Sequence, residues 1–120
     1  MTNPPSRPNV DVNVRREVSA DLTALGSNAL RLEALRFMLA LREKPFLGKP
    51  LAKLPMTGDL SECRKIYFDQ ARHRIVYRLL PDEQNPVTAD IIAVGPRAAA
   101  QVYADAVRRL SQPAATPNRS

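Results

Sequence analysis

The sequence predicts an α+β fold in which helices cover one face of a small antiparallel sheet. Residues 64–80 carry most of this prediction, because they read as two strands joined by a tight polar turn at Gln70 and Ala71. Apolar residues recur at helical spacing before this hairpin and again near the end of the chain, a pattern typical of helices that pack on a sheet. The predicted order is one strand, two N-terminal helices, three strands and one C-terminal helix.

The chain begins with a segment that has no core candidates. Residues 1–9 contain three prolines, so we expect a disordered lead before a single domain over residues 10–110. Alternation with polar residues then predicts a short strand at Val10, Val12 and Val14. Ser19 is expected to cap a brief helix through Leu25, and Gly26 ends that helix.

A long helix is expected over residues 27–44, where Pro45 stops it. It carries two apolar stripes, so it should be covered on two sides. The first stripe is expected in the core: Leu30, Ala34, Phe37, Met38 and Leu41. The second lies on a different side and either packs in the core as well or receives a partner helix: Leu32, Leu35 and Leu39.

The second half of the chain predicts the rest of the sheet and the last helix. Residues 46–62 contain two prolines and two glycines and read as a loop. After the hairpin, a polar loop over residues 82–88 leads to a buried strand over residues 89–94. A final helix over residues 98–110 should pack inward through one stripe, and residues 111–120 should form a disordered tail. That stripe consists of Ala99, Val102, Ala106 and Leu110.

The hairpin has two chemically different faces if a two-residue turn places Tyr67 opposite Arg74. One face is apolar: Ile66, Phe68, Ile75, Tyr77 and Leu79. The other collects Lys65, Tyr67, Arg74 and Val76. A face that presents lysine, tyrosine and arginine suits an anionic ligand, although an ordinary solvated strand face would show the same residue types.

Charge and composition narrow the class of protein. The net charge of +6 and the pI near 10.1 favour an anionic partner such as nucleic acid or an acidic protein. The single cysteine, Cys63, can form no internal disulfide and is expected to be a buried inert thiol in a reducing compartment. No apolar run of membrane length and no signal-peptide pattern is present, so we expect a soluble, cytoplasmic protein.

Several catalytic signatures are missing from the sequence. There is no Gly-rich phosphate loop, no HExxH motif and no Cys/His cluster, so neither a metal nor a nucleotide cofactor is expected. The lone His73 should point away from the basic face, because neighbouring side chains alternate along a strand. What remains is a candidate cluster without histidine: Lys65, Tyr67, Arg74, Arg97 and Tyr103.

This set of residues suits cleavage of RNA by its own 2′-hydroxyl. That reaction needs a base at the hydroxyl, positive charge at the phosphorane and an acid for the leaving oxygen. Arg74 and Arg97 are assigned to the phosphate as fixed cations and Lys65 to the hydroxyl. A tyrosine can stack on a nucleobase. Tyr67 either has such a stacking role or, with its pKa lowered by Lys65 and Arg74, shares the role of the base. Four further basic residues are expected to contact the RNA: Lys49, Lys53, Arg72 and Arg78.

Four pieces of the chain, RKIYF, RIVYRLL, IIAVGPR and VYADAVRRL, resemble in this order and spacing the RelE/ParE superfamily of bacterial toxins. The resemblance runs from about Val12 to Leu110. It implies a compact antiparallel sheet with two N-terminal helices and one C-terminal helix. RelE-type members cleave messenger RNA in the ribosomal A site without a metal, so the resemblance implies a metal-independent endoribonuclease with no cofactor.

Carried over by position, four residues match the catalytic set of the RelE-type members: Lys65, Arg74, Arg97 and Tyr103. Tyr67 departs from it, because RelE proper has a second lysine there. The ParE branch poisons DNA gyrase and is the alternative, and a non-catalytic binding module of the same fold is a third. The family also implies a cognate antitoxin protein as partner, in a toxin–antitoxin hetero-oligomer, with mRNA and the ribosome as targets and no membrane.

Overall fold

The three-dimensional structure is a computed structural model that describes residues 9–51, 60–98 and 101–111. Residues 1–8 and 112–120, which make up nearly all of the predicted lead and tail, lie outside the described residues, as do Lys53 and Ala99. The elements in chain order are β1 (Asp11–Val14), α1 (Arg16–Ala24), α2 (Asn28–Ala40), β2 (Lys49–Pro50), β3 (Cys63–Phe68), β4 (His73–Leu80), β5 (Thr88–Pro96) and α3 (Gln101–Leu110).

The strands form one five-stranded sheet in the order β1-β5-β4-β3-β2. The α+β fold class and the three helices are confirmed. Strands β3, β4 and β5 pair antiparallel as predicted, and an additional strand, β2, pairs antiparallel with β3; β1 pairs with β5 in parallel, so the sheet is mixed. A parallel pair requires a long connection between its strands, and here almost the whole domain lies between β1 and β5.

The predicted register of the hairpin is confirmed. Tyr67 lies opposite Arg74, and the Arg72 N–H donates to the Asp69 carbonyl at 3.0 Å across the turn. Asp69, Gln70 and Ala71 all have positive φ, between 54° and 69°. This left-handed backbone is unfavourable for residues other than glycine, and the paired strands on either side keep it in place.

Helices cover both faces of the sheet, so the predicted single covered face is wrong. Helices α1 and α2 pack on the apolar hairpin face that was predicted, which includes Ile66, Ile75 and Tyr77. Helix α3 packs on the opposite face through Val102 and Ala106, where it meets the following buried residues: Val76, Ile92 and Ala93. The basic hairpin face is therefore only partly open, because α3 occupies one part of it.

Helix bounds differ from the predicted ones where tertiary contacts decide them. Helix α1 begins at Arg16, so Ser19 lies inside it instead of capping it. Ser27 caps α2, and its Oγ accepts from the Leu30 N–H at 3.2 Å. Helix α2 ends at Ala40, β2 interrupts the predicted 46–62 loop, and α3 begins at Gln101. No described helix is long and apolar enough to cross a membrane.

Buried ion pairs fix α1 and α3 against β5. The Asp21 carboxylate accepts from Arg109 at 2.7 and 3.0 Å and from the Val94 N–H at 3.0 Å. The pairing of β4 and β5 shifts register next to Ile92, and Arg109 donates to the Ile92 carbonyl at 2.9 Å. Another carboxylate, that of the buried Asp90, accepts from Arg15 at 2.9 Å. These contacts determine where α3 lies on the sheet, and with it the position of Tyr103.

Candidate functional site

Four of the five predicted catalytic side chains lie together on one face of the sheet. Lys65 and Tyr67 come from β3, Arg74 from β4 and Tyr103 from the first turn of α3. The Arg74 Cζ lies 4.1 Å from the centre of the Tyr67 ring and 5.8 Å from the centre of the Tyr103 ring. The Lys65 Nζ lies 5.1 Å from the centre of the Tyr67 ring. We call these four residues the β3–β4 cluster.

Arg74 is the buried member of the cluster. Its side chain lies under two aromatic rings and the residue is only 7% exposed. Its Nε and Nη1 atoms are buried and have no hydrogen-bond partner in the described part of the chain. Attraction between a desolvated guanidinium and a ring is worth about 2 kcal/mol. The rings therefore hold Arg74 in place, and in this conformation those two donors do not reach solvent.

Tyr67 is the exposed member, with 38% of its surface accessible. Interaction of its phenol with the Lys65 ammonium, and then with the Arg74 guanidinium, lowers the pKa of Tyr67 to about 8. The two other tyrosines behave in the opposite way. Burial raises the pKa of Tyr77 to about 12, and burial also raises the pKa of Tyr103. Tyr67 is thus the phenol that ionises nearest to neutral pH.

Arg97 lies at the rim of the cluster. It follows β5 directly, and its backbone N–H donates to the Arg72 carbonyl at 2.9 Å, which ties this strand end to the hairpin turn. Its side chain is exposed. The charges of Arg74 and Arg97 oppose the rise in the pKa of Tyr103 that burial causes. Arg97 is therefore close enough to act on the cluster and open enough to meet a ligand.

Lys49 extends this basic face on the other side. It is exposed and lies directly opposite Lys65 in the register of β2 and β3, and facing residues of an antiparallel pair share one face of the sheet. Gly48 makes this placement possible. A Cβ there would lie 2.7 Å from Tyr77 Cε1 and 2.8 Å from the Lys65 carbonyl oxygen. The Gly48 N–H donates to the Tyr77 hydroxyl at 2.9 Å, and that hydroxyl donates to the Pro45 carbonyl.

Two predicted site residues, Arg72 and Arg78, are not brought together with the cluster. Arg72 is exposed at the turn and pairs with Asp69 at 3.2 Å. Arg78 lies four positions along β4 from Arg74 and donates to the buried Asp90 at 3.2 Å. About 13 Å of strand separates these two arginines. Lys53 lies outside the described residues. Arg78 is therefore paired with the buried Asp90 and lies apart from the β3–β4 cluster.

His73 lies where the alternation placed it, away from the basic face. Its Nδ1 is 2.8 Å from an Asp69 carboxylate oxygen, and its ring lies 5.4 Å from that of Phe68. Cys63 is buried, as predicted, and burial raises the pKa of its thiol to about 12. Within residues 9–51, 60–98 and 101–111, no group of three or more His, Cys, Asp and Glu side chains is arranged to hold a metal ion.

Sequence reasoning missed two features of the site. The first is the stacking of Arg74 between two tyrosines. The predicted register already placed Tyr67 opposite Arg74, but the contact with Tyr103 depends on the position of α3. The second is the strand that places Lys49 beside Lys65. Strand β2 has two residues, one of them a proline, so no alternation pattern was available to reveal it.

A groove lies on the opposite side of the molecule, between β1 and α2. Its volume is about 540 Å³, and it is lined by Asp11, Val12, Val14, Leu35, Met38, Leu39 and Arg42. The second apolar stripe of α2 is exposed in this region, with Leu35 at 42% and Leu39 at 62%. The prediction that this stripe packs in the core is therefore wrong for the described residues, and the alternative, that it receives a partner helix, stays a prediction.

Comparison with known proteins places the fold. No family model matches the chain, and no curated protein matches it by sequence. The structure is similar to that of a mutant of E. coli toxin RelE in the free state, with a TM-score of 0.65 and 21% identity over 85% of this chain and 98% of that one.

Two structures of toxin–antitoxin complexes are also similar. One is an E. coli RelE mutant with an antitoxin RelBc peptide, with a TM-score of 0.57 and 22% identity over 84% of this chain and 97% of that chain. The other is the complex RelBE2 from Mycobacterium tuberculosis, with a TM-score of 0.58 and 22% identity over 74% of this chain and 99% of that chain. The protein therefore has the RelE toxin fold.

Proposed function

We propose that the protein is the toxin of a type II toxin–antitoxin system and a metal-independent endoribonuclease that cleaves mRNA on the ribosome. The β3–β4 cluster is the observation that carries this proposal. Lys65 and Arg74 lie close to the Tyr67 ring, and Arg74 also lies close to the Tyr103 ring. Arg97 lies at the rim of this cluster. The fold supports the proposal, because it is that of toxins solved with and without an antitoxin peptide.

The chemistry is attack of the RNA's own 2′-hydroxyl on the adjacent phosphate. Arg97, exposed beside the cluster, stabilises the negative charge that develops on the phosphorane oxygens. Lys49, which faces Lys65 across β2 and β3, holds a flanking phosphate. Tyr103 is partly exposed and offers a ring on which a nucleobase stacks. No step requires a metal or a cofactor.

The groove between β1 and α2 is the proposed site for a cognate antitoxin. Leu35 and Leu39 expose an apolar surface there, and Asp11 and Arg42 flank it with charge. An amphipathic segment would bury these leucines and pair with the charges at the rim. Such a complex is a hetero-oligomer that forms in the cytoplasm, where the ribosome and mRNA are found.

Induced expression in bacteria tests this function. The wild-type protein should arrest growth, and sequencing of RNA ends should show new 5′ ends inside the coding regions of translated messages. Co-expression of the antitoxin from the neighbouring reading frame should restore growth. Arg36→Ala, an exposed change on α2, should arrest growth as the wild type does.

Two other outcomes would contradict the proposal. Arrest with intact messages and gyrase-linked DNA breaks would show the ParE-type activity instead. Normal growth without cleavage of messages would indicate a non-catalytic binding module of the same fold. To test ribosome dependence, the purified protein is given the same message with and without ribosomes, and cleavage is expected only on the ribosome.

A further inference from the structure

We propose that Tyr67 is the general base of this reaction, with Arg74 as the positioning residue beneath its ring and Lys65 as the acid for the leaving oxygen. The inference rests on the proposed function and deepens it. It departs from the sequence-based assignment, in which Lys65 took the proton and Arg74 contacted the phosphate. Three features of the cluster carry it: exposure, the partners of the phenol and the burial of the guanidinium.

Exposure separates the members of the cluster. A base must lie within hydrogen-bond reach of the proton that it removes. Tyr67 is 38% exposed on the open part of the sheet face. Arg74 is 7% exposed, and its Nε and Nη1 atoms are buried without a partner. With Tyr67 in place, those two donors cannot bind a phosphate oxygen, so Arg74 acts on the substrate through the ring above it.

The surroundings of Tyr67 favour its ionised form. Lys65 on β3 and Arg74 on β4 are the charged groups that act on its phenol, and they lower its pKa to about 8. Lys49 from β2 and Arg97 from the end of β5 add positive charge around the same face, and Tyr103 is the group from α3. About one phenol in ten is then ionised at pH 7, which is enough for a useful general base.

No competing base is present among the described residues of this face. His73 points to the opposite side and contacts Asp69. Among the described residues, Lys65 and Arg74 are the charged groups that act on Tyr67, and Arg74, Arg97 and Tyr67 are the groups that act on Tyr103. No described carboxylate is among them. Among the described tyrosines of this face, Tyr67 is the exposed one, and its pKa is the nearer to neutral.

The proton balance closes within the pair of Tyr67 and Lys65. The phenolate takes the 2′-hydroxyl proton while the 2′-oxygen bonds to phosphorus. The bond between phosphorus and the 5′-oxygen breaks, and that oxygen takes a proton from the Lys65 ammonium. The products are a 2′,3′-cyclic phosphate and a 5′-hydroxyl. The neutral Lys65 amine then takes the proton from the Tyr67 hydroxyl, which restores both groups.

The spacing of the two residues suits this division of roles. Lys65 and Tyr67 are two positions apart on one strand, so they share a face and their backbones lie about 7 Å apart. The attacking and leaving oxygens lie on opposite sides of phosphorus, roughly in line. Two groups side by side along β3 can therefore serve the two oxygens of one phosphate.

The first experiment measures single-turnover cleavage of ribosome-bound mRNA by Tyr67→Phe, which removes only the hydroxyl and keeps the ring over Arg74. Cleavage should be slower by about 10²–10⁴, while the melting temperature and RNA affinity stay at wild-type values. The wild-type rate should rise with pH and level off above pH 8. A Tyr67→Phe rate within threefold of wild type would overturn the inference and leave the proposed function standing. A wild-type protein that cuts no RNA would overturn both.

The second experiment follows the phenol directly in the substrate-free protein. The chain has three tyrosines and no tryptophan, so tyrosinate absorbance reports ionisation without interference. One step near pH 8 is expected in the wild type, and Tyr67→Phe should remove it. Arg74→Met should move this step and the pH–rate profile upward together, and Arg74→Lys should restore both in part. A folded Arg74→Met protein with an unmoved step would show that Arg74 does not act through Tyr67. Arg36→Met is the matched control.

Discussion

The Arg74 guanidinium lies against the Tyr67 ring, with Cζ 4.1 Å from the ring centre, and these two residues face each other across β3 and β4. Because the guanidinium is buried, this contact places a fixed positive charge under an exposed phenol. The sheet register places Tyr67 against Arg74, and the docking of α3 places Tyr103 near the same guanidinium. The site is therefore assembled by the same contacts that pack α3 on the sheet, and its chemistry depends on those contacts.

RNA affinity should fall steeply as salt rises, because binding to several phosphates releases counterions. Each phosphate contact on a single strand contributes about −0.7 to the slope of log affinity against log salt. Arg97→Ala and Lys49→Ala should each reduce the slope by about that amount, measured by fluorescence anisotropy with a labelled RNA. Arg36→Ala should leave the slope unchanged. A complex insensitive to salt would argue against this face as the RNA surface.

Antitoxin binding should depend on the groove between β1 and α2. The double change Leu35→Gln and Leu39→Gln is expected to weaken antitoxin affinity at least about tenfold, since two exposed apolar contacts of the groove are lost. Leu32→Gln changes a leucine of the same stripe that does not line the groove, and it serves as the matched control in calorimetry. Equal loss of affinity in both variants would show that the groove is not the docking site.

Gly48→Ala should destabilise the fold by about 1–3 kcal/mol, because its Cβ would overlap Tyr77 and the Lys65 backbone. Since Lys49 follows directly, RNA affinity should fall as well. Gly95→Ala is the matched control, because a Cβ there meets Val102 at an ordinary 3.5 Å. Denaturant titration of both variants measures the difference. Equal stability of the two would contradict the close contact at Gly48.

Stability should decline in alkaline solution. Burial raises the pKa of the Cys63 thiol from 9.0 to about 12, so the unfolded state loses this proton first. The stabilising effect of the buried thiol is complete below pH 9 and is lost as the pH rises towards 12. Melting temperatures of the wild type and of Cys63→Ala across pH 8–11 test this. The wild type should lose stability more steeply above pH 9, and parallel curves would contradict the assignment.

The sequence predicted the parts of the fold and site that local patterns determine. Alternation along the hairpin placed Tyr67 opposite Arg74 and sent His73 to the other face, because a strand has a period of two. The packing of α3 on the second face of the sheet could not be predicted, because no local pattern indicates on which face α3 docks. The contacts of Arg109 with Asp21 and with the carbonyl of Ile92 make that choice, and they join residues far apart in sequence.

The candidate site shows the same division between local and long-range information. The register of β3 and β4, which is readable from the sequence, brought Lys65, Tyr67 and Arg74 together, and the long-range docking of α3 added Tyr103. Arg78 was predicted to contact RNA, and the structure pairs it with Asp90, because alternation gives the face of a residue but not its partner. The position of Lys49 depended on a contact between Gly48 and Tyr77 that no pattern reveals.

The most direct test of the central claim is single-turnover cleavage of ribosome-bound mRNA, with a chelator present, by the wild type and by the double variant Lys65→Ala and Arg97→Ala. Both side chains lie on the accessible part of the sheet, so the variant should fold and melt as the wild type does. The wild type should yield 2′,3′-cyclic phosphate and 5′-hydroxyl ends, and the variant should be slower by at least about 10². Cleavage by the folded double variant at the wild-type rate would contradict the assignment of this face as the catalytic site.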